Sequence, residues 1–185
     1  MIYLVRHGES VGNAGGRTNS ATENPLTEKG WQQARDFASN FKGKPDLIVY
    51  SPFLRAKQTA QPFMERFSDV PAEEWPVQEF NILDANLCRG TTKEERWGMV
   101  KEYIERNDPD FVCGEGAESF NQLFGRVDNM LEKLRKIDKN KLVVVFTHGN
   151  FIKAVLLRLR GEMAGIKTLI EMDVLDHTGM VEIKV

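Results

Sequence analysis

Two short apolar runs in this chain end on the same pair of residues, and that repetition constrains the fold more than any other feature. Met1-Ile-Tyr-Leu-Val5 leads at once into Arg6-His7-Gly8-Glu9-Ser10, and Lys141-Leu-Val-Val-Val-Phe-Thr147 leads at once into His148-Gly149. Runs this short and rich in β-branched residues read as strands buried on both faces. The chain has 3 histidines, so two of them share the strand-end His-Gly setting. A third run, Asp46-Leu-Ile-Val-Tyr50, precedes Ser51-Pro52, read as N-cap and first position of a helix whose first turn carries Arg55. In an open α/β sheet, ligands gather beyond the carboxyl ends of the strands. Three strand ends are therefore expected to bring Arg6, His7, Arg55 and His148 to one crevice.

The segments between these strands carry helical periodicity. Thr27 caps a helix over residues 28–41, with Trp31, Ala34, Ala38 and Phe41 as its apolar stripe. Pro62 is expected to kink or split the helix that carries Arg55. Residues 69–76 read as a turn and Val77–Phe80 as a short strand. Thr92 and Glu95 form a capping box for a helix over 93–106, and an amphipathic helix spans 120–137. Residues 150–160 form another helix, closed by Gly161. Met180–Val185 alternates apolar and charged residues, the pattern of a half-exposed edge strand. The order of elements predicts an α/β fold, a three-layer α/β/α sandwich with a mostly parallel central sheet and an antiparallel C-terminal edge strand. Residues 1–185 are read as a single domain, with 81–118 as a lid or specificity insertion carrying Arg89, Arg96 and Trp97. The competing view of Trp97 is that it packs its helix onto the domain.

With Asp+Glu 27 against Lys+Arg 25, the net charge of −2 gives no general attraction to nucleic acid or acidic membranes. The basic stretch from Lys133 to Lys141 is expected to be a solvated helix end. Cys88 and Cys113 lack metal-type spacing and are expected to be free thiols. The chain opens without a basic-then-apolar leader pattern, and no apolar run approaches the ~18 residues of a membrane span. The expectation is a cytoplasmic enzyme without cofactor, acting on a small molecule, with no nucleic-acid or membrane partner.

Two arginines beside two imidazoles make a site for a phosphate-like oxyanion, because guanidinium forks bind its oxygens in pairs and stay charged. Gly8 and Gly149 let backbone N–H groups approach such a ligand. A metal is disfavoured, since two arginines would repel it. A neutral imidazole facing a phosphate ester can act as nucleophile, splitting hydrolysis into two steps through phosphohistidine. The leaving oxygen then needs a proton, for which Glu79 is the first choice and Asp84 and Glu9 the reserves. Such a pair predicts a bell-shaped pH profile, with an acidic limb from the nucleophile and a basic limb from the acid. His177, near the C-terminus, is read either as reaching the site or as a surface residue, the surface being favoured.

Arg6-His7-Gly8-Glu9-Ser10 resembles the opening motif of the histidine phosphatase superfamily, which includes the cofactor-dependent phosphoglycerate mutases. Asn13, Asn24-Pro25-Leu26-Thr27, Gly30 and Gln33-Ala34 are similar to the segment that follows in that family. Ser51-Pro52, Leu54-Arg55-Ala56 and Thr59-Ala60 resemble its second-arginine helix, and Thr147-His148-Gly149 its second-histidine motif. The resemblance covers most of the chain. It implies that His7 is the phosphorylated nucleophile and that Arg6, Asn13, Arg55 and His148 grip the phosphate. It also implies that Glu79 serves as proton donor and then as base. Mutases of the family carry a further insertion with its own motif after the acid, and none is present between Glu79 and Phe111. A metal-independent phosphomonoesterase is therefore expected, with phosphoglycerate mutase and a non-catalytic phospho-ligand binding module as the alternatives.

Overall fold

The computed structural model describes residues 1–161 and 165–185. Its frame is a five-stranded sheet in the order β3-β2-β4-β1-β5. The strands are β1 (Ile2–Arg6), β2 (Leu47–Tyr50), β3 (Ala72–Glu74), β4 (Val143–Thr147) and β5 (Met180–Ile183). β4 runs parallel between β1 and β2, and β5 closes the edge antiparallel to β1. Both faces of the sheet are covered, as the apolar runs require. Val5, Ile48, Val144 and Phe146 pack against Ala38, Phe41, Ala60 and Phe63, from α1 (Glu28–Asn40) and α2 (Leu54–Arg66). Leu4, Val49, Val143 and Val145 pack on the other side against α5 (Phe120–Arg135) and α6 (Gly149–Leu159). The three-layer arrangement expected from the strand pattern is thus present, with each middle strand alternating its side chains between two cores.

The helix boundaries follow local chemistry. Thr27 caps α1 by accepting from the Gly30 N–H. Both a Thr92–Glu95 and a Ser119–Gln122 capping box are formed, the first opening α4 (Lys93–Arg106). Gly161 ends α6 with φ +69°, the left-handed conformation that glycine adopts without penalty.

Several expectations are corrected. The strand expected at Val77–Phe80 is irregular chain, and the strand lies at Ala72–Glu74, inside the stretch read as a turn. All three β3 residues are exposed, so this charged edge pairs with β2 without the alternation that marks a buried strand. Pro62 sits inside a continuous α2. Ala60, Phe63 and Phe67 bury against the sheet on both sides of it, and that packing outweighs one missing hydrogen bond. α2 begins at Leu54 after Phe53, so Ser51-Pro52 forms the turn before the helix rather than its start. Two short helices, α3 (Ala85–Cys88) and α7 (Ile166–Glu171), carried no readable period. Trp97 is 52% exposed, which rules out the packing role considered for it. Cys88 and Cys113 are free thiols. Among the described residues, no helix is long and apolar enough to cross a membrane.

Candidate active site

The parallel strands β1, β2 and β4 end on the same side of the sheet, and the next residue or turn after each carries a buried polar side chain. His7, Ser51, Arg55 and His148 are all buried there. The His7 ring lies 5.0 Å from the His148 ring, centroid to centroid. The Arg55 Nε donates to His7 Nε2 at 3.1 Å. At the other edge of the ring, His7 Nδ1 stands 2.6 Å from the Gly8 carbonyl, which only accepts. The proton therefore resides on Nδ1, and Nε2 keeps its lone pair. Thr59 Oγ1 accepts from the Gly8 N–H at 3.0 Å and donates to the Arg55 carbonyl at 2.6 Å, which fastens the nucleophile's loop to α2.

His148 is the N-cap residue of α6, and its Nε2 lies 2.8 Å from Ser51 Oγ. That oxygen accepts from the Phe53 N–H at 3.2 Å and keeps its own proton to give to Nε2, the arrangement in which the imidazole proton lies on Nδ1. Arg6 donates through Nη1 to the Leu175 carbonyl at 2.5 Å. Gly149 runs close beside it: a Cβ there would stand 3.7 Å from Arg6 Nε and 2.5 Å from Val174. Among the described residues, the buried side-chain polar atoms without a partner are Arg6 Nε, Gln78 Oε1, His148 Nδ1 and His177 Nε2. Buried polar atoms are normally satisfied, so unpartnered nitrogens on Arg6 and His148, at the strand ends that also carry His7, mark a candidate anion site.

Burial, and next the Arg55 guanidinium, hold His7 well below the ordinary imidazole value of 6.5; the same causes act on His148. Both rings are thus neutral at pH 7, as attack by one of them requires. Burial also lowers Arg55 to about 10, against the attraction of Glu79. Arg55 remains charged at pH 7, its Nε–H on His7 and its Nη1 donating to the Ala21 carbonyl at 2.7 Å.

Glu79 accepts from the Asn150 N–H at 3.1 Å, so it sits at the N-terminal end of α6, immediately beyond His148-Gly149. No strand delivers it. Instead its irregular segment is strapped down: Thr147 Oγ1 donates to the Val77 carbonyl at 2.5 Å, and Arg126 Nη1 donates to the Pro76 and Gln78 carbonyls at 3.0 and 2.9 Å. Arg126 is itself held by a two-point ion pair to Glu118. The reserve carboxylates are committed elsewhere. Asp84 caps α3 and accepts from the Glu115 N–H at 2.7 Å, and Glu9 accepts from Thr27 Oγ1 and Lys29 Nζ at 2.9 and 2.8 Å. Asn13 is not drawn into the cluster among the contacts described: it is exposed, and its side-chain oxygen accepts from Ser10 Oγ at 2.8 Å.

Residues to which pattern reading gave no part in holding the site complete it. Ser51, Thr59 and Arg126 act by holding His148, the His7 loop and the Glu79 segment; nothing in a one-dimensional pattern marks a hydroxyl or a helix-face arginine for such a role. His177 is not a surface residue. Its ring lies 6.1 Å from that of His7, on a turn tied to Arg6 by two backbone hydrogen bonds. Among the described residues no three His, Cys, Asp or Glu side chains are grouped as metal ligands.

Residues 2–184 match the family described as the histidine phosphatase superfamily (branch 1). The chain is 33% identical over 165 residues to a metal-independent phosphoserine phosphatase of Arabidopsis thaliana, covering 85% of this chain and 68% of that protein. It is 29% identical over 162 residues to a 2,3-bisphosphoglycerate-dependent phosphoglycerate mutase of Rhizobium etli, covering 83% and 77%. A solved structure of a phosphoserine phosphatase mutant from Entamoeba histolytica, bound to phosphoserine, superposes with a TM-score of 0.74 at 28% identity, over 97% of this chain and 87% of that one. The fold, the paired strand-end histidines and the match along almost the whole length agree: the chain belongs to the histidine phosphatase superfamily, enzymes that work through a phosphohistidine.

Proposed function

We propose that this protein is a metal-independent phosphomonoesterase in which His7 is the nucleophile, Arg6, Arg55, His148 and the Gly149 backbone hold the phosphoryl group, and Glu79 moves the proton. The observation that carries the reading is the pair of unpartnered buried nitrogens, Arg6 Nε and His148 Nδ1, at the strand ends that also carry His7, whose Nε2 lone pair accepts from the Arg55 Nε–H. In the first step His7 Nε2 attacks phosphorus, the ester P–O bond breaks, and Glu79 protonates the departing oxygen. Arg55 moves its Nε–H from His7 Nε2 onto a phosphoryl oxygen. In the second step Glu79 takes a proton from water, which attacks the phosphohistidine and releases inorganic phosphate. Arg6 and His148 keep their places between steps, so charge building on the transferred group meets donors already fixed by the fold.

Water rather than a second substrate hydroxyl is the acceptor in this reading. Between Glu79 and Phe111 the chain holds the short α3 and the single helix α4, and no further clamp for a bisphosphate. Residues 81–118 would instead shape the leaving-group side within one domain. Residues 81–118 are stitched to the segment before α1, Thr18 bonding through its backbone to Gly90 and Thr91 while Arg17 grips Glu95. Asn13 belongs to the phosphate grip in this proposal, its amide turning inward when the ligand arrives. The substrate is a small phosphate ester, and the two free cysteines suit a cytoplasmic setting.

Turnover of p-nitrophenyl phosphate tests the reading. The purified chain should hydrolyse it with or without a chelator, and acid-sensitive trapping should recover labelled phosphohistidine. His7→Ala should lower turnover by about 10⁴-fold, the scale of losing a catalytic nucleophile. Retained activity in that variant rejects the assignment. Isomerisation of 3-phosphoglycerate in the presence of a bisphosphate primer would make the protein a mutase instead, and absence of phosphohistidine a binding module.

A further inference from the structure

His177 has no part in the two-step scheme above, yet the chain goes to some trouble to place it. The turn from Leu175 to Gly179 is laced to the end of β1: the Thr178 N–H donates to the Arg6 carbonyl and the Arg6 N–H to the Gly179 carbonyl, both at 3.0 Å. The Leu175 carbonyl takes the Arg6 Nη1. Thr178 sits at φ +60°, a left-handed conformation that is strained for a β-branched residue and persists only where the surroundings enforce it. The result is a second imidazole near His7, its ring centroid 6.1 Å away against 5.0 Å for His148. The His177 ring is half-buried, and Nε2 is the nitrogen that lies inside without a partner.

The groups around His177 offer that nitrogen nothing. Arg6, His7, Glu9, Lys29 and Asp176 all act on it electrostatically. The Glu9 carboxylate is already bound by Thr27 and Lys29. A ring pressed toward the neutral state by burial has one donor and one acceptor, and beside two cations an anion selects the Nε2–H tautomer. The 6.1 Å between the His7 and His177 centroids admits an oxygen carried on His7 Nε2 at about 2.9 Å from a donor.

We propose that His177 is a third phosphoryl-binding imidazole, donating from Nε2 to an oxygen of the group held on His7. This rests on the phosphatase reading of the site, but its test does not require turnover. Inhibition by inorganic phosphate and by orthovanadate should be compared across three variants. His177→Phe keeps the ring and loses the donor. His177→Gln places an amide nitrogen near the Nε2 position. His177→Asn places one near Nδ1. The Phe and Asn variants should bind both anions about ten- to a hundredfold more weakly, the loss expected for one hydrogen bond to a charged group, and Gln should recover most of it. A ring that only packs against His7 would show the reverse order, with Phe like wild type and Gln impaired. That outcome overturns the proposal, as does equal binding in all three. Should the Phe variant not fold, the contrast between Gln and Asn carries the same decision. Failure of wild type to form phosphohistidine would strike the parent reading, whereas loss of the Gln–Asn contrast strikes this one alone.

Discussion

At the scale of single residues, the site depends on which nitrogen of each imidazole is free. His7 is held with its Nδ1 proton on the Gly8 carbonyl and its Nε2 directed at Arg55, while His148 is held by Ser51 through Nε2. Because burial and Arg55 keep His7 below 6.5, the nucleophile stays competent under mildly acid conditions. The acidic limb of kcat/KM, after correction for the substrate's own ionisation, should therefore fall below pH 6.5. A limb at or above that value contradicts the geometry. Glu79→Gln should separate substrates by leaving group. For an alkyl phosphate, whose alkoxide must be protonated, kcat should drop by about 10²–10⁴-fold. For p-nitrophenyl phosphate the loss should be much smaller, and equal losses on both would remove Glu79 from the proton-donor role.

At the scale of elements, the catalytic loop is wedged between β1 and α1 with no room for a side chain. A Cβ on Gly30 would stand 2.0 Å from the Glu9 carbonyl oxygen, and one on Gly8 would stand 2.6 Å from the Gly30 oxygen. Gly30→Ala must push α1 off the loop, so denaturant unfolding should show a loss of about 3 kcal/mol together with most of the activity. A variant as stable as wild type would mean that the loop yields easily. The strap over Glu79 behaves differently. Arg126 and Glu118 pair with side chains only 14% and 15% exposed, and Arg126 also holds two carbonyls of the acid's segment. Arg126→Met should cost about 3 kcal/mol by stranding Glu118, and it should reduce kcat for poor leaving groups more than it raises KM. The Glu118-Ser119 pair thus serves two local ends, an anchor for Arg126 and the cap of α5.

At the scale of the whole molecule, a cluster of cations and neutral imidazoles at one end of the sheet is a charge on stability. His7 and His148 both have depressed values in the folded state and ordinary ones in the unfolded chain. The unfolded chain then binds more protons below pH 6.5, so stability is complete above that pH and is lost as the pH falls through the window beneath it. Each ring contributes up to about 1.4 kcal/mol per pH unit. Thermal unfolding followed from pH 7.5 to 5 should show Tm level at first and falling below about pH 6.5, and inorganic phosphate should raise Tm across the range. A level Tm from pH 7 to 5.5 would show that the rings are not held neutral. Much of this molecule was legible without coordinates. Strands buried on both faces must be covered on both faces, and that dictated the three layers; a strand end followed by His-Gly is a statement about position as well as chemistry, and it brought Arg6, His7, Arg55 and His148 together in advance. Capping chemistry marked α1 and α4 for the same reason, because hydroxyl-to-backbone bonds are made within a few residues. What the linear pattern could not carry were the relations between remote segments. β3 pairs through its backbone and displays only exposed side chains, Arg126 reaches the Glu79 segment from another element, and His177 comes to His7 only because β5 returns beside β1. Local propensity and periodicity determined the frame and its four principal side chains. The tertiary structure alone decided which hydroxyl, arginine and third imidazole would serve them, since those contacts arise from packing between segments that share no sequence period.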